Sequence, residues 1–403
     1  WTKYTQTFHP LFGWFLAFHD SFTTSTSSEK VEKYRVNGSI GNGGQANIYL
    51  IQADDGRQLV LKVFKDKNQQ KERIKNELSI LRYNGHINIV RVIDYHDSLD
   101  SQTLAYISHP PTSPSPPGLF LELVQSGFGA KGGTLWDYLD MRGDGRGYIL
   151  YQEMLEILYQ IVKGIAFLHS KGVAHRDIKP ENILISVSDE VGAVAKIADF
   201  GCACLDAMGK SRIGTFPFFA PELVLNSVVS SVAGSLPLSS TDCEYERDYD
   251  AMKFDVWSIG CLVLHTISHP SVEREKGKQA GKETRGEEAE RSKIDSETIL
   301  KQLEMETTKE KLDGNAANDK LQFLRALKSM KGKTGKENFT QMRTVPYFGS
   351  ALANLRHIDE VEVDFFERVF EGNPDKRPSA SDLLSFRLFD GVRERVESRI
   401  YSL

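Results

Sequence analysis

Residues 175–182, HRDIKPEN, place six polar or charged side chains between two apolar segments at 157–168 and 183–187. Ionised groups between segments that form a core are costly unless they are paired or used for chemistry. The segment thus combines an acid, two bases and an amide within eight residues, a combination that catalysis could use. The imidazole of His175 could also serve as a general base.

A glycine-rich stretch, IGNGGQANI at 40–48, lies near the start of a strand-rich region. Gly41, Gly43 and Gly44 would let the backbone approach a phosphate group closely, with N–H groups turned inward. An ordinary glycine turn has the same composition. The stretch alone therefore leaves a phosphate site and a simple turn as alternatives.

Lys62 and Glu77 form a candidate charge pair. Lys62 lies in a strand-like run, LVLK, and Glu77 falls between apolar residues on the inward face of a predicted helix. A free carboxylate would be costly there, and pairing with Lys62 would remove that cost. The pair would also hold the ammonium beside phosphate oxygens, where a compact positive charge is useful.

Eight features occur in one order along residues 34–390: GNGGQA, VLK, Glu77, HRDIKPEN, DFG, APE, DVWSIG and NPDKRP. In this order the chain resembles a eukaryotic protein kinase. The resemblance implies an α+β, bilobal kinase fold, in which a small antiparallel-sheet N-lobe precedes a larger, mainly helical C-lobe. The lysine two residues after Asp177 makes the chain resemble the serine/threonine class of kinases and not the tyrosine class.

The resemblance assigns the catalytic roles. Asp177 would accept the proton of the substrate hydroxyl, and Lys179 would neutralise charge on the transferred phosphoryl group. Lys62, held by Glu77, would contact the phosphates of ATP. Asn182 and Asp199 would bind Mg²⁺, a hard cation that prefers oxygen ligands.

The resemblance also predicts an ATP pocket between the lobes. Leu121 would guard its rear, Thr134 is a candidate ribose contact, and the backbones of Glu122 and Val124 would bond to adenine. The residues assigned to the nucleotide are Ile40, Gly41, Gly43, Gly44, Ile48, Val60, Lys62, Glu122, Val124 and Leu184.

Arg176 would meet a phosphate placed on the activation segment by an upstream kinase, at Ser211 or Thr215. Ser211 is favoured, because Thr215 matches a position that usually contacts the catalytic aspartate and lysine.

Three further contacts are expected to be architectural. They are a Glu222–Arg377 ion pair, the hold of Asp255 on the catalytic loop, and a stacked spine of Leu81, Ile93, His175 and Phe200.

The pattern of apolar residues predicts the elements that position these groups. Strands flank a hairpin turn at Asp55–Gly56, an amphipathic helix covers 153–169, and a helix that is apolar nearly all round covers 253–267. Cys261, His265 and His269 follow at helical spacing on or just past the latter helix, and we favour a core role over a metal site.

We divide the chain into an N-terminal extension 1–33, an N-lobe 34–124 with a proline-rich loop 109–118, a C-lobe 125–390 with a charged insertion 271–345, and a tail 391–403.

Composition limits the class of protein. The 403 residues are 40% apolar and 26% charged with a net charge of −5, so nothing predicts binding to nucleic acid. Four unevenly spaced cysteines indicate a reducing compartment. The longest apolar run, at 11–18, is shorter than the roughly 18 to 20 residues that a membrane helix needs. A cytoplasmic location is expected, with access to the nucleus left open.

These observations predict an active serine/threonine kinase that transfers phosphate from Mg·ATP to protein substrates. Two alternatives stay open. One is a nucleotide-binding pseudokinase or scaffold that acts through the insertion 271–345, and it is disfavoured because Lys62, Asp177 and Asp199 are all present. The other is a kinase for a small molecule, which the APE and NPDKRP motifs disfavour.

Overall fold

The structure is a computed structural model. It describes residues 34–42, 46–65, 74, 77–80, 85–107, 115–124, 133–140, 147–188, 190–205, 208–209, 214–223, 249–274, 323–342 and 358–401. The extension 1–33, most of the proline-rich loop and residues 275–322 of the charged insertion lie outside these ranges.

The N-terminal part is an antiparallel sheet of five strands in the order β1-β2-β3-β5-β4. The predicted hairpin turn joins β2 to β3, and Gly56 adopts a positive φ of 89° there, which glycine accepts without steric cost. The strands are β1 (Tyr34–Asn42), β2 (Ala46–Ala53), β3 (Gln58–Phe64), β4 (Val92–His96) and β5 (Gly118–Glu122).

The two faces of this sheet belong to different hydrophobic clusters. One cluster contains Ile51, Leu61 and Phe120, and the short helix α1 (Ser101–Tyr106) contributes Leu104 to it. The other face carries Ala46 and Leu119, which join the main core of the molecule. Because side chains alternate across a strand, adjacent residues reach different clusters.

Two long helices form the centre of the larger part: α3 (Tyr151–Ser170) and α4 (Ala251–Ile267). As predicted, α4 is buried on all sides, and Trp257 and Cys261 are fully buried. The helix starts two residues before the predicted position because the Asp250 carboxylate accepts the backbone N–H groups of Met252 and Lys253, each at 2.9 Å.

Shorter elements surround these two helices. The helices are α2 (Leu135–Asp140), α5 (Gly335–Met342), α6 (Glu360–Val369), α7 (Ala380–Leu383) and α8 (Asp390–Ile400). The paired strands are β6 (Ile149–Leu150) with β11 (Val272–Glu273), β7 (Ile183–Ser188) with β8 (Gly192–Ile197), and β9 (Met208–Gly209) with β10 (Tyr249–Asp250). Within the described residues, no helix has the length and apolar character to cross a membrane.

Two segments that we assigned to the insertion and the tail contribute to the main core. Residues 323–330 and α5 bury Leu327, Met330 and Phe339, and Asn338 donates to the carbonyl of Phe370 at 2.8 Å. Helix α8 buries one face against α3. The charged residues of these segments lie on the faces that are not buried. Because composition averages over all faces of a helix, it did not reveal the apolar faces.

Candidate active site

A lysine and two carboxylates meet between the sheet and the larger part of the molecule. Lys62 Nζ on β3 donates to both carboxylate oxygens of Glu77, at 2.7 and 3.1 Å, and to Asp199 Oδ1 at 3.0 Å. Lys62 and Glu77 are buried, at 9% and 3% exposed. The ion pair that the sequence predicts is therefore confirmed, and the lysine also reaches the aspartate of the DFG motif.

Charge within this cluster is strongly coupled. Lys62 lowers the pKa of Asp199 well below its usual range, so that this carboxylate is ionised at neutral pH. Burial disfavours the ammonium of Lys62, but the carboxylates of Glu77 and Asp199 outweigh burial and raise its pKa. The site therefore holds a fixed positive charge next to a half-exposed carboxylate, since 53% of the Asp199 side chain is exposed.

The catalytic-loop residues surround the Asp177 carboxylate. Asn182 Nδ2 donates to Asp177 Oδ2 at 2.9 Å and to the Asp177 carbonyl at 2.8 Å. The Thr215 hydroxyl donates to Asp177 Oδ1 at 2.7 Å and accepts a hydrogen bond from Lys179 Nζ at 2.8 Å. The predicted contact of Thr215 with the aspartate and the lysine is confirmed.

Asp255 on α4 holds the backbone of this loop, as predicted. Its carboxylate, fully buried, accepts the N–H groups of His175 and Arg176, each at 2.7 Å, and lies 2.9 Å from His169 Nε2. Arg176 has a positive φ of 64°, a conformation that costs a non-glycine residue about 1–3 kcal/mol. The two hydrogen bonds from Asp255 stabilise that turn.

The predicted spine is correct at two positions and wrong at one. His175 is fully buried, and its ring packs edge-on against Phe200 at 5.1 Å between centroids. Ile93 packs with the cluster on the other face of the sheet, whereas its neighbour Val92 packs against the core that contains Phe200. A shift of one residue along a strand exchanges the faces. Leu81 lies outside the described residues.

The described residues that we assigned to ATP lie on β1, β2, β3, β5 and β7 or directly after β5. Gly41 pairs with Ile48, and a Cβ atom at Gly41 would lie 3.4 Å from the Ile48 side chain. Ile40 is exposed, Val60 pairs with Leu121 on β5, and Val124 follows β5. Leu184 forms a bridge to Thr134. Gly43 and Gly44 lie outside the described residues.

Two contacts at this pocket were not predicted. The Glu122 carboxylate accepts the Arg91 backbone N–H at 2.8 Å and Lys196 Nζ at 2.9 Å, so it connects β5 to β8. Thr134 and Asp137 hydrogen-bond to each other at the start of α2. The Thr134 hydroxyl, which we considered as a contact for the ribose of ATP, is therefore already hydrogen-bonded. The spacing Thr-x-x-Asp, a helix-start signal, could have revealed the second contact.

The oxygen atoms of Asp199 and Asn182 suit a hard cation such as Mg²⁺. The backbone brings the two residues together, because the Ala198 N–H donates to the Asn182 carbonyl at 2.8 Å, directly before Asp199. Asp199 itself adopts a positive φ of 59°, with Gly201 donating to its carboxylate at 3.4 Å. Among the described residues no three His, Cys, Asp or Glu side chains cluster as metal ligands; on α4, Cys261 is fully buried and His265 is partly buried.

The activation segment is partly described. Arg176 Nε donates to the Cys202 carbonyl at 2.7 Å, and β9 pairs with β10 before α4. Glu222 and Arg377 form the predicted buried ion pair, with Arg377 donating to the two carboxylate oxygens at 2.9 and 3.1 Å. Ser211, the favoured phosphate acceptor, lies outside the described residues.

Comparison with known proteins agrees with this geometry. Residues 34–389 match the family model described as the protein kinase domain. The chain therefore belongs to the protein kinase family.

Several of its relatives are named as serine/threonine-protein kinases. The chain is 30% identical to CBL-interacting protein kinase 24 of Oryza sativa subsp. japonica, over 58% of this chain and 43% of the rice protein. It is 33% identical to serine/threonine-protein kinase DCLK1 of Rattus norvegicus, over 57% and 44% of the two chains. It is 28% identical to serine/threonine-protein kinase RAD53 of Saccharomyces cerevisiae, over 56% and 24%. The chain thus spans less than half the length of these relatives.

Proposed function

We propose that this chain transfers the γ-phosphate of Mg·ATP to serine or threonine hydroxyls of protein substrates. The observation that carries the proposal is the hydrogen-bonded set Asp177–Thr215–Lys179, 2.7 and 2.8 Å apart, next to Lys62 and Asp199. Together these residues would supply a base, two ammonium groups and two oxygen ligands to one site. Phosphoryl transfer needs this combination of positioning and charge neutralisation.

In the proposed reaction the substrate hydroxyl oxygen forms a bond to the γ-phosphorus, and the bond to the β–γ bridging oxygen of ATP breaks. Asp177 accepts the hydroxyl proton, and ADP leaves with the electron pair of the broken bond. Lys179 lies 3.3 Å from Asp177, close enough to neutralise charge on the transferred group. Lys62 would contact the phosphates that remain on ADP.

Mg²⁺, when bound, neutralises the phosphate oxygens and holds them for in-line transfer. Asp199 and Asn182 would hold it. Asp199 is ionised at neutral pH because Lys62 lowers its pKa, and this favours cation binding. Leu184 and Val60 would enclose the adenine, and the backbone of Glu122 would bond to its edge while the Glu122 side chain stays paired with Lys196.

Regulation by phosphorylation of the activation segment forms part of the proposal. The Thr215 hydroxyl is engaged by Asp177 and Lys179, so Ser211 is the better acceptor for an upstream kinase. A phosphate there would add charge-assisted hydrogen bonds to Arg176, beside the start of the segment. Phosphopeptide mapping after treatment with an activating kinase identifies the acceptor.

The first test measures transfer of labelled γ-phosphate from Mg·ATP to a generic basic protein and to the chain itself. We expect incorporation on serine and threonine, which Asp199→Ala abolishes. Asp199→Asn is the matched variant that keeps the side-chain volume and removes only the charge. Nucleotide binding without transfer, in a chain phosphorylated beforehand, contradicts the proposal and favours a scaffold.

A further inference from the structure

The segment 85–90 lies in the sequence between the helical residues 77–80, which include Glu77, and β4. Its central residue, Asn88, is fully buried, and its amide nitrogen donates to the Ala195 carbonyl at 2.8 Å and to Gln160 at 3.2 Å. The Asn88 carbonyl accepts the Ile197 N–H at 2.8 Å, and the Val90 N–H donates to the Ile197 carbonyl at 2.9 Å. The segment is therefore paired with β8 at Ile197, which lies two residues before Asp199 in the sequence.

The remaining polar atom of the Asn88 side chain is bound from the far end of the chain. The Tyr401 hydroxyl donates to Asn88 Oδ1, across 313 positions of sequence. Among the described residues, no other donor forms a hydrogen bond to that oxygen. Loss of the hydroxyl would leave a buried acceptor unsatisfied, a costly state in a dry interior.

Tyr401 is held in place by its surroundings. Its ring lies under Lys163 Nζ, 4.3 Å from the centroid, and its N–H donates to the Glu397 carbonyl at 3.2 Å. Burial, followed by the charge of Glu397, raises the pKa of Tyr401 above its ordinary value. The hydroxyl therefore keeps its proton at neutral pH and remains a donor.

Helix α8, which precedes Tyr401, is fixed to α3. Glu397 accepts from Lys163 at 2.8 Å and from the Tyr159 hydroxyl at 2.7 Å, and Arg395 pairs with Glu156 at 3.0 Å. The whole of this helix and Tyr401 follow the last residue matched by the kinase family model, residue 389. The hydrogen bond to Asn88 therefore joins a residue beyond the matched range to one within it.

We propose that Tyr401 is a positioning residue of the nucleotide site, whose hydroxyl holds Asn88 and thereby keeps the 85–90 segment on the strand that leads to Asp199. The inference depends on the proposed function, because it concerns the binding of Mg·ATP. Asp199 and Glu77 are the two carboxylates that Lys62 joins, at 3.0 and 2.7 Å. The 85–90 segment follows Glu77 in the sequence and pairs with β8, the strand that precedes Asp199, so we expect a shift of this segment to change both carboxylates.

Tyr401→Phe removes only the hydroxyl, and Tyr159→Phe is a matched control. Both variants lose one tyrosine hydroxyl at the α3–α8 contact, but only Tyr401 reaches Asn88. We measure binding of Mg·ADP by calorimetry and hydrogen exchange of the Val90 and Ile197 amides. We expect Tyr401→Phe to weaken binding roughly 2- to 30-fold, the range found for residues coupled to a distant site. Exchange at both amides should become faster, with Tyr159→Phe unchanged in both measurements.

A double variant tests the route. If Tyr401 acts through Asn88, adding Tyr401→Phe to Asn88→Ala changes nucleotide affinity no further. Equal affinity in wild type and Tyr401→Phe overturns the inference, even if exchange is faster, because the hydroxyl is then only structural. A wild-type chain that binds no Mg·ADP overturns both proposals. Binding without phosphate transfer contradicts the proposed function alone.

Discussion

At the scale of single residues, the side chains around Asp177 define the candidate site. Its two carboxylate oxygens accept hydrogen bonds from Thr215 and Asn182, and Lys179 lies nearby at 3.3 Å. These contacts orient the carboxylate. The proposed role of base belongs to this residue, because the neighbours are donors and cannot accept a proton in its place.

Asp177→Asn should lower kcat for peptide phosphorylation by about 10²- to 10⁴-fold, the usual contribution of a positioned base. The KM for ATP should stay near that of the wild type, because the base acts in the transition state and does not contact the nucleotide in the ground state. Steady-state kinetics with a serine peptide measure both constants. A variant that keeps more than half of the wild-type kcat would remove Asp177 from this role.

At the scale of elements, buried ion pairs join segments that are far apart in sequence. Arg377 is 1% exposed, donates to both oxygens of Glu222, and also donates to the carbonyls of Lys253 and Glu371. It therefore connects the APE segment, α4 and the loop after α6. A planar guanidinium can serve these partners together, and a lysine cannot.

Arg377→Met should lower the free energy of unfolding by about 3–5 kcal/mol, because it leaves the Glu222 carboxylate buried without its charge partner. Arg368→Met is the control, since Arg368 pairs with Asp364 at 3.0 Å on an exposed surface. Its cost should stay within about 1 kcal/mol. Urea denaturation of the two variants measures the difference, and equal costs would show that burial of the Glu222 pair contributes little.

At the scale of the whole molecule, two partly buried histidines, His86 and His265, couple stability to pH. Burial, with a smaller contribution from His269, lowers the pKa of His265 to about 3, and burial also lowers the pKa of His86 to about 4. Both values lie below the ordinary 6.5. The unfolded chain therefore takes up protons as pH falls through 6.5, whereas the folded chain does not until about pH 4 or 3.

The free energy of unfolding should fall as pH falls from 7 to 5, by up to about 1.4 kcal/mol per pH unit below 6.5 for His265. His265→Phe keeps a ring against Trp136, which packs 5.7 Å from His265, and removes this proton uptake. We expect a shallower pH dependence in that variant, measured by urea denaturation at pH 5, 6 and 7. An unchanged slope would assign the pH dependence to other groups.

Much of the site could be predicted from sequence because its central part is contiguous. Residues 175–182 and 199–201 each lie on one short turn, so neighbours in sequence are neighbours in space. The buried helix α4 was predicted because a helix that is apolar nearly all round has to be surrounded by other elements. Pairing of Lys62 with Glu77 followed from the cost of burying a lone carboxylate.

Tertiary structure alone decided the remaining contacts. Residues 89–93 are apolar at four of five positions, so periodicity did not show that Val92, and not Ile93, faces Phe200. Lys196 and Tyr401 are polar residues whose partners, Glu122 and Asn88, are 74 and 313 positions away. Sequence determines which groups are present and the local turns that hold them. Packing of the sheet, α3 and α8 determines which distant groups meet, because such contacts depend on the relative placement of whole elements.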